Sequence, residues 1–112
     1  MEIKNALITN VSIEAEDHGF LTFWLTLEFN GGGVGYGGYC IGKTHDFSAT
    51  GLGLEAIMRI MDVVGVRRWE DLKGQYIRYE DHGWGSTVTV IGNIIKDKWF
   101  DIDKFFKENQ KD

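Results

Sequence analysis

The tetrapeptide Glu-Asp-His-Gly occurs twice, at 16–19 and at 80–83, each time after a strand-like run and before a Thr-rich one. Glycine tolerates positive φ, and Asp folds its side chain back onto a turn, so each copy predicts a reversal between antiparallel strands. Two such hairpins constrain a chain of 112 residues more than any other feature, because they leave little room for βαβ crossovers. The flanking residues agree. Ile3 to Ala15 carries Ile8, Val11 and Ile13 as strand formers. Phe20 to Phe29 is the clearest strand, with Thr22, Trp24, Thr26 and Glu28 expected on one face and Leu21, Phe23, Leu25, Leu27 and Phe29 on the other. Asn30-Gly31-Gly32-Gly33 breaks that strand, and Val34 to Ile41 is expected to return as a glycine-laced one.

A helix is expected next. Thr50 can cap it, Leu54, Ile57, Met58, Met61 and Val64 recur at helical spacing, and Gly65 stands where a left-handed cap belongs. Trp69 to Gly74 reads as a turn or one helical turn. Gln75–Tyr79 and Ser86–Ile95 form the arms of the second hairpin, and Asp101 to Glu108 forms a short amphipathic helix. With 15 glycines and no proline, turns fall to Gly, Asn and Asp. The expected fold is α+β, in a single domain over residues 1–112. It has a mostly antiparallel sheet of about five strands, one main amphipathic helix on one face, and a short C-terminal helix.

A formal charge of −5 argues against coating a double-stranded nucleic acid, which takes clustered Lys and Arg. No apolar run approaches the ~18 residues of a membrane span, and the first ten residues are too polar for a signal peptide. The cytosol is the expected compartment. Cys40 is the only cysteine, which rules out an intramolecular disulfide and a Cys-based zinc cage; it reads as a small buried hydrophobe.

Gly33, Gly35 and Gly38 formally satisfy Gly-x-Gly-x-x-Gly, but a strand rather than a helix follows, so the dinucleotide reading fails its context. Two uses of these glycines remain open. They can make room for Trp24 or the helix, which is the favoured use, or leave a bare groove in which Tyr36 and Tyr39 stack on a ligand. Arg67 and Arg68 beside Trp69 suit a helix C-terminus and, alternatively, a phosphate, with Arg59 and Arg78 as neighbours. Trp84, between glycines at a turn tip, is the aromatic least expected to be buried by the fold itself. The ligand-binding candidates are therefore Tyr36, Tyr39, Arg67, Arg68 and Trp84. His18 and His82 with nearby carboxylates would make a metal site only if they converged, and structural turns are the favoured use. No catalytic residue, metal ligand or cofactor is assigned, since no nucleophile–base pair or Gly-x-Ser-x-Gly elbow is legible.

The stretch from Glu16 to Leu25 (Glu-Asp-His-Gly-Phe-Leu-Thr-Phe-Trp-Leu), with Gly35-Tyr36-Gly37-Gly38-Tyr39, Trp69-Glu70-Asp71-Leu72-Lys73-Gly74 and Asp97-Lys98-Trp99-Phe100, resembles a widespread family of small bacteriophage and prophage proteins. The likeness covers nearly the whole chain. It implies a phage product in the cytoplasm of an infected bacterium, and it supplies no catalytic residues. The expected function is counter-defence, by binding and sequestering a nucleotide-derived immune signal without catalysis. The alternative is an inhibitor of a host defence protein, anti-CRISPR-like, and the third is a metal-dependent phosphodiesterase. A homodimer or higher homo-oligomer is expected under either leading reading.

Overall fold

The computed structural model describes residues 1–109. Seven strands form one antiparallel sheet: β1 (Glu2–Ala15), β2 (Phe20–Phe29), β3 (Gly32–Lys43), β4 (Ser48–Ala49), β5 (Tyr76–Asp81), β6 (Val90–Gly92) and β7 (Trp99–Asp101). They lie in the order β4-β3-β2-β1-β5-β6-β7. The main helix α1 spans Gly51–Val64, a single 3-10 turn covers Trp69–Leu72, and a short helix α2 covers Ile102–Asn109. The α+β class, antiparallel sheet and two helices match expectation; the count of about five strands is too low. The excess strands have only two or three residues, too few to show a period. Ser86–Ile95 contributes only Val90–Gly92 to the sheet, and Trp99–Asp101 returns beside it.

β1 is the axis of the sheet. Its first half, Glu2 to Leu7, pairs with β5, and its second half, Leu7 to Ala15, pairs with β2. Residues directly opposite share a face, so Ile8 joins Leu27 in the core and Val11 faces Leu25. An even and an odd position can both point inward because the register shifts by one residue at Thr9, a β-bulge. The sheet curls strongly: Tyr36 on β3 reaches β7, across four intervening strands, and its hydroxyl donates to the Phe100 carbonyl at 3.5 Å. Phe23, Leu25, Leu27, Ile77 and Ile91 fill the space between the sheet and α1 in one continuous cluster. The expected alternation along β2 holds except at Thr22, which is buried beside irregularities in the β2–β3 pairing and leaves its hydroxyl without a partner.

α1 begins and ends where the sequence predicts. Thr50 accepts the Gly53 N–H at 3.0 Å, and Gly65, at φ 93°, donates to the Met61 carbonyl. The buried stripe differs. Gly53, Ala56, Ile57, Ile60 and Val63 face the sheet, while Leu54 and Met58 are 63% and 61% exposed. The first Glu-Asp-His-Gly makes the expected β1–β2 turn, closed by the Gly19 N–H donating to the Glu16 carbonyl. In the second copy Glu80 and Asp81 still belong to β5, and the reversal moves on to Gly83–Ser86. Cys40 is exposed, against the expectation of burial, because it points away from the core on β3. Among the described residues no helix is long and apolar enough to cross a membrane.

Candidate functional site

β2 stops pairing with β1 at Leu7, so the β1 backbone from Glu2 to Ala6 has no sheet partner on that side. A groove of about 840 Å³ opens there. Lys4 and Asn5 line one wall, and the glycine turn Asn30–Gly33 ends the hairpin beside them. Phe29 and Tyr79 lie deeper, with their rings stacked at 5.4 Å, and the Gly83–Ser86 turn stands across the opening. Trp84 at the tip of that turn is fully exposed. Gly31, Gly83 and Gly85 have positive φ, and a Cβ on any of them would meet nothing within 4 Å. These glycines serve turn geometry and leave the rim bare of side chains.

The charged groups in the groove are Lys4 and Asp81, which form an ion pair. Asp81 also accepts the Gly83 N–H at 3.0 Å. The hydrogen bond from Lys4, reinforced by that of Gly83, lowers the Asp81 carboxyl below its ordinary pKa, and Asp81 in turn raises that of Lys4. The pair leaves the groove without net charge and ties the Trp84 turn to the start of β1.

Of the five expected ligand residues, only Trp84 lines this groove. Tyr36 is wholly buried, so it has no surface to offer a ligand; burial drives its phenol pKa well above the usual value. Tyr39 serves to dock α2. Its ring stacks on Phe106 at 4.4 Å, and its hydroxyl donates to Asp103 at 3.2 Å. Arg68 pairs with Glu70 at 2.9 Å beside the 3-10 turn, and Arg67 is exposed on the same connection. Arg78 is engaged structurally: it donates to the carbonyls of Asn93 and Lys96 and lies over the Trp99 ring at 4.6 Å. Arg59 pairs with Glu55. The expected basic cluster is thus dispersed. The glycine strand, as favoured, makes room for Trp24. A Cβ at Gly35 or Gly38 would come within 2.9 Å or 2.5 Å of that indole.

The two Glu-Asp-His-Gly copies lie at opposite ends of β1, since Glu2 faces Asp81 and Ala15 faces Leu21. A 14-residue strand spans about 40 Å at its usual rise, so His18 and His82 of one chain cannot share an ion. Among the described residues no group of three or more His, Cys, Asp or Glu side chains converges as a metal site. Lys4, Phe29 and Tyr79 were absent from the sequence-based candidates. Their approach depends on β1 changing partners at Leu7, which no local motif signals.

Burial first, and then Asp103, pushes the Tyr39 phenol up to about 12, against an ordinary value near 10. A raised folded-state pKa means the folded chain keeps a proton that the unfolded chain loses. The stabilisation is therefore complete below pH ~10 and is lost as pH rises towards 12. Alkaline spectrophotometric titration should show one tyrosine ionising near pH 12, and Tyr39→Phe should remove that step. A Tyr39 that ionises near the ordinary value of about 10 would refute the assignment.

No protein-family model, curated protein or solved structure matches this chain. The fold and the groove therefore define it by class alone: an α+β domain whose curled antiparallel sheet opens at one end onto an aromatic-rimmed groove without net charge.

Proposed function

We propose that the chain is a non-catalytic binding protein that holds a flat, nucleotide-type ligand in the groove between the β1 edge and Trp84. The observation that carries this reading is the β1 edge, unpaired on the β2 side, lining a groove with a wholly exposed indole at its rim. A free strand edge offers alternating N–H and C=O groups, which match the donor–acceptor edge of a nucleobase, and Trp84 supplies a face for stacking. The Lys4–Asp81 pair gives no net positive charge, so the base rather than the phosphate is expected to enter. In the setting implied by the phage resemblance, the ligand is a nucleotide-derived immune signal in the infected cell, and binding it removes it from its receptor.

Calorimetry with cyclic dinucleotides and cyclic ADP-ribose variants tests this. At least one should bind, and Trp84→Ala should weaken it by at least ~10-fold, the usual worth of a stacked base. The melting temperature should not change, because Trp84 touches nothing that folding requires. Silence from every candidate, well above micromolar concentration, overturns the reading. The alternative, inhibition of a host defence complex, then takes precedence; a stoichiometric host protein lost on Trp84→Ala would support it.

A further inference from the structure

At the far end of the sheet from the groove, the β3–β4 loop presents Phe47, which is 92% exposed and is the only non-glycine residue with positive φ (56°) among those described. A bulky side chain rarely adopts that conformation unless its surroundings impose it. They do so here. Asp46 accepts both the backbone N–H of Ser48 at 3.1 Å and its hydroxyl at 2.7 Å, and Thr44 donates from its backbone and its hydroxyl to the Gly19 carbonyl. The loop is thus fixed at both ends with its aromatic pointing into solvent.

Two residues further on, Ala49 forms the wall of an apolar groove of about 360 Å³, floored by Leu21, Ile41 and Ile57 and flanked by Leu54. Met58, one turn beyond Leu54, extends the same apolar surface. An exposed aromatic knob therefore stands two residues along the chain from the wall of an apolar socket. Under a two-fold axis such a face is complementary to itself. The formal charge of −5 opposes association in general, but none of the residues lining the socket carries a charge.

We infer that this face pairs two copies of the chain, with Phe47 of each inserted into the Leu21–Ile41–Leu54 socket of the other. Phe47 brings roughly 200 Å² of surface. With Leu54 and Met58 it still falls short of the ~800 Å² per partner of a standard interface, so the dimer should be weak, with a micromolar Kd. It is independent of the ligand reading, since the two grooves share no residue.

Sedimentation velocity across low-micromolar to near-millimolar concentrations should show monomer converting to dimer. Phe47→Ser should raise Kd by ~30-fold or more, as expected for a central anchor, and Leu54→Asp should do the same by spoiling the socket. Both positions are exposed, so unchanged melting temperatures will show that the fold survives. Mixing the two variants distinguishes reciprocal insertion from a general loss of stickiness. The Phe47→Ser copy keeps its socket and the Leu54→Asp copy keeps its knob, so the heterodimer should be tighter than either variant homodimer. The inference is overturned by a wild-type chain monomeric throughout, a dimer indifferent to Phe47→Ser, or a mixture no tighter than its parts. A monomer that instead binds a different protein through this face would also overturn it.

Discussion

Replacing Asn93 with Ala is expected to destabilise the protein by about 3 kcal/mol, more than any other single polar truncation. Asn93 is buried at the junction of β6, α1 and the β6–β7 loop. Its amide nitrogen donates to the Val63 carbonyl at 2.8 Å and to the Val64 carbonyl at 3.3 Å. These are among the last carbonyls of α1, which have no partner within the helix. Its amide oxygen accepts from the backbone N–H groups of Ile95 at 3.0 Å and Lys96 at 2.9 Å. One side chain thus closes the end of the main helix and shapes the loop that returns β7 to the sheet. Truncation strands groups on both sides, and each buried unsatisfied group costs about 1–3 kcal/mol. Water entering from the exposed loop side should satisfy part of the loss, hence the estimate near 3 rather than higher. In thermal unfolding this corresponds to a fall of roughly 10–15 °C for a domain of this size. Asn93→Asp is the informative companion. It keeps the acceptor for Ile95 and Lys96 but aims a carboxylate at two carbonyls, and it should be at least as destabilising as Ala. A variant within about 1 kcal/mol of wild type, the size of one ordinary hydrogen bond, would show that the junction is held by packing instead.

Nothing in the sequence singled out Asn93, and the reason is physical. Its partners at the helix end are 29 and 30 residues away, and a lone Asn before an Ile-Ile pair does not announce them. What was legible had a period or a cap. β2 was readable because Phe23, Leu25 and Leu27 alternate with Trp24, Thr26 and Glu28, and the helix ends were readable from Thr50 and Gly65. Thr22 defied the alternation because a register shift, which depends on the partner strand, turned it inward. The site divided in the same way. Trp84 between two glycines was legible as an exposed tip, since no neighbour in sequence could cover it. The burial of Tyr36 is not legible for a related reason: the glycines around it suit either room for Trp24 or a bare groove, and only the fold shows that they accommodate Trp24 while Tyr36 fills the core. The open β1 edge follows from strand lengths and register together, and neither is local.

The buried stripe of α1 includes Gly53, where the helix approaches Ile41 of β3 most closely, and Gly53→Ala should expose that contact with a sign opposite to helix propensity. In an ordinary helix, Gly→Ala stabilises by about 1 kcal/mol. At Gly53 the new Cβ would lie 2.5 Å from the Cβ and Cγ2 of Ile41 and 2.9 Å from its Cα. Side chains can swing away, but a Cα and Cβ move only with the strand. Normal carbon contacts of 3.5–4.0 Å require α1 to lift from β3 by roughly 1 Å. That loosens Ala56, Ile57 and Ile60, which are packed behind Gly53 on the same face. Overpacking of this kind costs about 1–3 kcal/mol and sometimes more. Because the clash reaches the strand's own Cα, the cost falls at the upper end of that range; after the propensity gain of about 1 kcal/mol the net expectation is a loss of about 2 kcal/mol, or a melting temperature lower by roughly 5–10 °C. Gly51, two residues earlier in the same helix, is the internal control. It is exposed, and an added Cβ meets nothing within 4 Å, so Gly51→Ala should stabilise by about 0.4–1 kcal/mol. Trimming Ile41 to Ala removes the Cγ2 contact, so Gly53→Ala should cost less in that background, giving a measurable coupling in a double-mutant cycle. Equal, stabilising effects of Ala at positions 51 and 53 would mean that α1 is not held against β3 at Gly53. The exposure of Leu54 and Met58, on which the proposed dimer face depends, would then lose its structural basis.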